Sequence, residues 1–166
     1  MTRLVVVVSL VAAAATVDAK PTQLPLRVPY PPLVAKLKTS GGSPDRVVHV
    51  KRAADLDRLE SGRRYKFVID SRGGLAVAPL PADAESNEYV HPILAGGGPV
   101  LTAGGIRVDH AGGRITRIVV DQDSKAYCPP RDSLEQAVHT LTSLGIRSDL
   151  VTTEDHPPEC APSPSR

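Results

Sequence analysis

Proline placement limits how much of this chain is free to build regular structure. Six of its 16 prolines fall at Pro21, Pro25, Pro29, Pro31, Pro32 and Pro44, and four more at Pro157, Pro158, Pro162 and Pro164. Each fixes φ and removes a backbone donor, so neither stretch can sustain a helix or an inner strand. Residues 20–45 therefore read as an extended or disordered lead-in, and 154–166 as a tail of the same kind. That leaves residues 46–153 for one compact domain of ordinary small size. With one Phe, four Tyr and no Trp, its core must come from Val, Leu, Ile and Ala.

The first residues follow a different pattern. Arg3 supplies a positive charge, Leu4 to Ala15 is apolar except for Ser9, and Val17-Asp18-Ala19 offers the side chains a signal peptidase reads. The run is shorter than the roughly 20 residues that a bilayer-spanning helix needs. Residues 1–19 thus predict a cleavable secretory signal, with cleavage after Ala19 and no membrane anchor afterwards. The expected location is exported, periplasmic or secreted, in a bacterium. Cys128 and Cys160, the only cysteines, would then meet an oxidising compartment. A disulfide between them is favoured over two unpaired thiols, and it would close a loop around the last helix.

Within the domain, short β-branched or alternating runs predict strands at Val47–Val50, Tyr65–Ile69, Leu75–Ala78, Val100–Ala103, Ile106–His110 and Ile115–Val120. The Gly104-Gly105 pair reads as a break between two of them. Short connections favour antiparallel pairing. Leu134, Ala137, Val138, Leu141 and Leu144 recur at helical spacing. Asp132-Ser133-Leu134-Glu135 precedes them as a capping box, and Gly145 follows as a stop. A weaker helical pattern covers Ala53 to Leu59, and Asp149 to Thr152 adds a last strand. The expected fold class is α+β: an antiparallel sheet packed by one C-terminal helix and a short N-terminal one.

Twenty Lys and Arg against 18 Asp and Glu give a net charge of +2, too small to predict a nucleic-acid partner where stacking aromatics are scarce. No nucleophile elbow, Walker loop, zinc-binding His pair or dinucleotide fingerprint occurs, so no cofactor or metal is expected. The basic pairs Lys51-Arg52 and Arg63-Arg64 read as a wet face, His110 and His139 as surface residues, and His49 as a residue lining the sheet. His91, in Tyr89-Val90-His91-Pro92, has the chemistry of a general base. If the fold gathers it with the polar run at 121–127, Asp121 or Asp123 would orient it, and Ser124 or Tyr127 would contact a ligand. The simpler alternative is a packed histidine beside a solvated turn.

Tyr65 to Ala78, then His91-Pro92-Ile93-Leu94, Gly97-Gly98-Pro99-Val100 and Ala103-Gly104, resembles a small module at the C-termini of some bacterial polymorphic toxins. In that module a hairpin leads to His-x-x-Leu, Gly-x-Pro-Val and Ala-Gly segments, followed by Ser-Gly-His-Tyr-x-Pro and a terminal helix. This chain carries Ser124-Lys125-Ala126-Tyr127 where the module has its second histidine. The resemblance implies either a toxin-like enzyme using His91 with Asp121, Asp123 or Tyr127, or a relative that kept the scaffold without the activity.

The sequence's leading expectation is an exported, non-enzymatic binding or interaction module for a protein or small-molecule ligand. Its contact face would be the loop from Pro79 to Glu88 with the glycine-rich turn beside it. The competing expectations are the toxin-like enzyme and an envelope-associated structural protein tethered by its lead-in.

Overall fold

A computed structural model of the chain describes residues 21–28, 47–80, 90–158 and 160. The leader at 1–19, most of the loop expected from Pro79 to Glu88 and the tail at 161–166 lie outside the described residues.

Six strands form one sheet: β1 (Val48–Val50), β2 (Arg64–Asp70), β3 (Leu75–Pro79), β4 (Val100–Ala111), β5 (Arg114–Val120) and β6 (Val151–Thr153). Their spatial order is β1-β3-β2-β4-β5-β6. All pairs are antiparallel except β5 with β6. That exception follows from the connection, because a helix separates the two strands and returns the chain to start in the same direction. Among the described residues two α-helices accompany the sheet, α1 (Val90–Leu94) and α2 (Leu134–Ser143), making the fold α+β as expected.

Alternation along β2 explains the layering. Tyr65, Phe67 and Ile69 point into the larger core with Leu56, Val77, Ile106, Ile118, Leu134 and Leu141. Arg64, Lys66 and Val68 take the opposite direction because successive strand residues face opposite sides. Val68 there joins a smaller core with Ala76, Val100, Ala103, Ala126 and Tyr127. Thus β2 is buried on both faces, one covered by α2, the other by α1 and the turn after β5.

Several local expectations change. The break at Gly104-Gly105 does not exist, since β4 runs through both residues. Neither glycine has a positive φ. They admit a neighbouring chain instead: a Cβ on Gly104 would lie 1.7 Å from the backbone oxygen of Asp121. The N-terminal helix is a 3-10 turn at Ala53–Arg58, drawn tight by the Asp55 carboxylate, which accepts the N–H groups of Lys51 and Arg52. The capping box ahead of α2 is not made. Ser133 already has helical dihedrals, and its hydroxyl lies against Pro130 O and Thr102 Oγ1. Gly145 does adopt the left-handed conformation, φ +94°, just past that helix. His49 is exposed on edge strand β1 rather than lining the sheet.

Both proline-rich ends are partly fastened down. Leu24 forms a β-bridge with Val100, its N–H donating at 2.7 Å and its carbonyl accepting at 3.0 Å, and Arg27 N–H donates to Ala126 O. Pro25 has no N–H to continue that pairing. Leu24 and Leu26 nonetheless pack on the smaller core. At the other end Asp155 accepts from Gln122 Nε2 (2.6 Å) and Arg131 (3.0 Å). Cys128 and Cys160 form a disulfide, their Cα atoms 5.9 Å apart and 32 positions apart in sequence. A loop of that length restricts the unfolded chain by about 3–4 kcal/mol. Cys160→Ser paired with Cys128→Ser is therefore expected to lower unfolding free energy by about that amount, read from urea unfolding as a lower midpoint with a steeper slope, since the uncrosslinked unfolded chain expands. An unchanged midpoint would show that the link contributes nothing.

Candidate functional site

The polar residues singled out in the sequence meet on the α1 side of the sheet. Register places Lys66 opposite Gly105 and Arg64 opposite Arg107, and the Arg64 guanidinium reaches across to the bare Gly105 position, where a Cβ would stand 2.5 Å from its Nε. Beyond β5 the chain turns across this gap. Asp121 N–H donates to Gly105 O, and Asp121 Oδ1 accepts from the N–H groups of Gly105 (2.8 Å) and Asp123 (2.9 Å). Asp121 Oδ2 takes a 2.7 Å bond from Arg64. The buried carboxylate thus holds three donors, the arrangement a desolvated charge requires.

Asp123 completes the network. Its Oδ2 accepts from Arg64 at 3.2 Å and from Lys66 Nζ at 3.1 Å, and its backbone carbonyl takes a further bond from Lys66. Burial alone would raise its pKa, but the Lys66 ammonium and then the Arg64 guanidinium hold the carboxyl below its ordinary value. Lys66 is only 5% exposed. Two cations and two carboxylates therefore balance here, Lys66 and Asp121 buried and Arg64 and Asp123 partly exposed, and removing one partner would leave a buried charge uncompensated.

His91 is carried in by α1, whose Pro92 stands in a first turn that needs no donor from it. The ring is enclosed, and Nε2 lies 3.0 Å from Gly104 O. A carbonyl only accepts, so Nε2 bears the proton in this bond and Nδ1 is the bare nitrogen of the neutral ring. Burial, followed by the nearby Lys66 charge, pushes the pKa down to about 4, against smaller opposing effects of Gly104 O, Asp123 and Asp121. Asp121 and Asp123 are close enough to act on His91 electrostatically, yet their carboxylates accept from Arg64, Lys66 and backbone N–H groups.

Ser124 and Tyr127 belong to the turn that closes this layer. The Ser124 hydroxyl is buried and has no hydrogen-bond partner among the described residues, while Ser124 N–H donates to Gln122 O at 2.7 Å. The Tyr127 ring is buried, and its hydroxyl donates to Gly98 O at 2.8 Å, tying the turn to the glycine-rich segment after α1.

Arg64 and Lys66 are the residues sequence reasoning missed. Arg63-Arg64 read as a wet pair, and only half of that holds. Arg63 pairs with Glu60 and lies over the Tyr65 ring, whereas Arg64 reaches Asp121. The usable signal was spacing: cations at 64 and 66 and carboxylates at 121 and 123 both repeat every two residues, the period of one strand face.

A concave opening lies on the opposite layer. A groove of about 840 Å³ runs between α2 and β6, lined by Arg131, Asp132, Leu134, Glu135, Val138, His139 and Thr153. Among the described residues no cluster of His, Cys, Asp and Glu is arranged to hold a metal ion. No described helix is long and apolar enough to cross a membrane. Set against family models, curated proteins and solved structures, the chain matches none.

Proposed function

We propose that this is an exported, non-enzymatic binding module whose ligand occupies the groove between α2 and β6. The observation that carries the reading is a division of labour between the two layers. Polar groups suited to catalysis are engaged in holding the sheet to its covering turn, with His91 enclosed and bonded to Gly104. The open concavity faces away from them and mixes apolar and charged side chains, as ligand sites do. Export is supported by the leader pattern at residues 1–19 and by the Cys128–Cys160 disulfide, a linkage that persists in oxidising compartments.

The competing reading is the toxin-like enzyme using His91. Purified full chain is to be incubated at pH 7 with generic ester, phosphodiester and peptide substrates, beside a His91→Gln variant whose folding is verified by circular dichroism. The binding-module reading expects no turnover above buffer from either protein. Turnover by the parent chain that disappears in folded His91→Gln would replace it with the enzyme.

A further inference from the structure

We infer that the Cys128–Cys160 disulfide is a redox latch: a thiol reductant opens it, and the strap formed by residues 154–158 then releases Arg131 at the groove. The inference rests on the binding-module reading and adds control of the groove by redox state.

The strap leaves β6 at Thr153, a groove residue, and leads to Cys160, which is exposed. A few bonds pin its route. Glu154 N–H donates to Val120 O at 2.8 Å, and His156 N–H donates to Gln122 Oε1 at 3.3 Å. Asp155 accepts from the buried Gln122 amide and from Arg131, which lines the groove. Both partners of the Arg131–Asp155 pair are exposed, and such pairs hold weakly. The covalent link is therefore what keeps the strap in place.

Cys128 supplies the reason for a latch rather than a permanent staple. Among the described residues it is the only non-glycine with a positive φ, +46°. A left-handed backbone on a residue with a Cβ stores strain, and strain of this kind gathers at switches. Cleavage lets Cys128 leave that conformation, which tilts the exchange toward the reduced form.

Cys160 is exposed and Cys128 half-buried, so attack falls on Cys160 Sγ. The attacking thiolate bonds to that sulfur as the Sγ–Sγ bond breaks. Cys128 leaves as a thiolate and takes up the proton the reductant gave up. A second thiol of the reductant then displaces Cys160, so the protein ends with two thiols and the reductant with one disulfide. Freed of Asp155, Arg131 adds a cation beside Asp132 and Glu135, and the charge that the groove offers its ligand changes.

The test places the purified full chain in about 10 mM reduced glutathione with ~0.1 mM of its disulfide, a buffer that structural disulfides resist. Iodoacetamide is expected to alkylate both cysteines in most molecules, with the native far-ultraviolet spectrum retained. Amide exchange at Glu154 and His156 should then quicken about tenfold or more, while β2 and β4 stay protected. Amide signals of Arg131 and Asp132 should move, and Cys128→Ser with Cys160→Ser should reproduce the shifts without reductant. A disulfide intact in that buffer would make the link a permanent staple. Strap amides as protected after reduction as before would show that the strap's own bonds hold it. Loss of the native spectrum would make the link part of the fold. Any of these, or an unmoved Arg131 signal, overturns the inference. Such failures remove the redox control alone, whereas His91-dependent turnover would remove the binding-module reading beneath it.

Discussion

Acidifying the protein from pH 7 to pH 4 is expected to remove about 3 kcal/mol of folding stability through His91 alone. Burial and the Lys66 charge lower this histidine from an ordinary 6.5 to about 4 in the folded state. Between those values the unfolded chain binds the proton and the folded chain does not, so stability rises with pH. The contribution is complete above 6.5, declines as pH falls through the window, and is gone near 4. Every group facing the ring enters this balance: Lys66 from β2, Gly104 O from β4, and Asp121 and Asp123 after β5. Asp123 acts in a lower window, because its folded value lies below 3.8 and its stabilisation is lost only as pH falls beneath that. Urea unfolding at pH 7, 5.5 and 4 measures the slope. His91→Gln keeps an N–H for Gly104 O and has no proton to gain, so its stability should be nearly flat over the same range. A parent protein equally stable at pH 7 and 4, or a variant with the parent's slope, contradicts the assignment.

Gly104→Ala is expected to destabilise the fold by more than about 3 kcal/mol, beyond most single substitutions. The new methyl would stand 1.7 Å from Asp121 O, 2.7 Å from Asp121 C and 3.1 Å from Gln122 Cα. All three are backbone atoms, so no side-chain rotation relieves the overlap. Moving them displaces the carboxylate that holds Arg64 and the Gly105 N–H. Gly112→Ala is the control, since nothing lies within 4 Å of its Cβ position. Its left-handed φ should cost only about 1 kcal/mol. Comparable losses from the two variants would mean that the close approach at Gly104 is unimportant.

The same glycine shows why part of the fold was legible in the sequence and part was not. Strands β2, β3 and β5 and helix α2 announce themselves because their apolar residues repeat at the strand or helix period and their ends carry turn residues. Gly104-Gly105 misled because composition reports that a side chain is missing, not whether the backbone turns there or another chain passes close by. α1 was hidden by its five-residue length and internal proline. The groove was invisible because it depends on where β6 returns, and a three-residue strand carries almost no periodic signal. At the polar cluster, His91, Asp121 and Asp123 stood out as chemistry. Arg64 and Lys66 did not, because cations on an alternating strand are assigned to water unless the opposite charges can be placed against them.

The disulfide also sets how the molecule carries a pull. Helix α2, strand β6 and the groove between them all lie inside the loop that Cys128 and Cys160 close. Tension entering from the C-terminal end crosses the covalent link to Cys128 and never stretches those elements. It arrives next to Ala126, whose carbonyl holds Arg27 near the other end of the chain. A load applied across both ends is therefore concentrated on the turn at 126–128 and the Leu24–Val100 bridge, which should release first while the ligand groove keeps its shape.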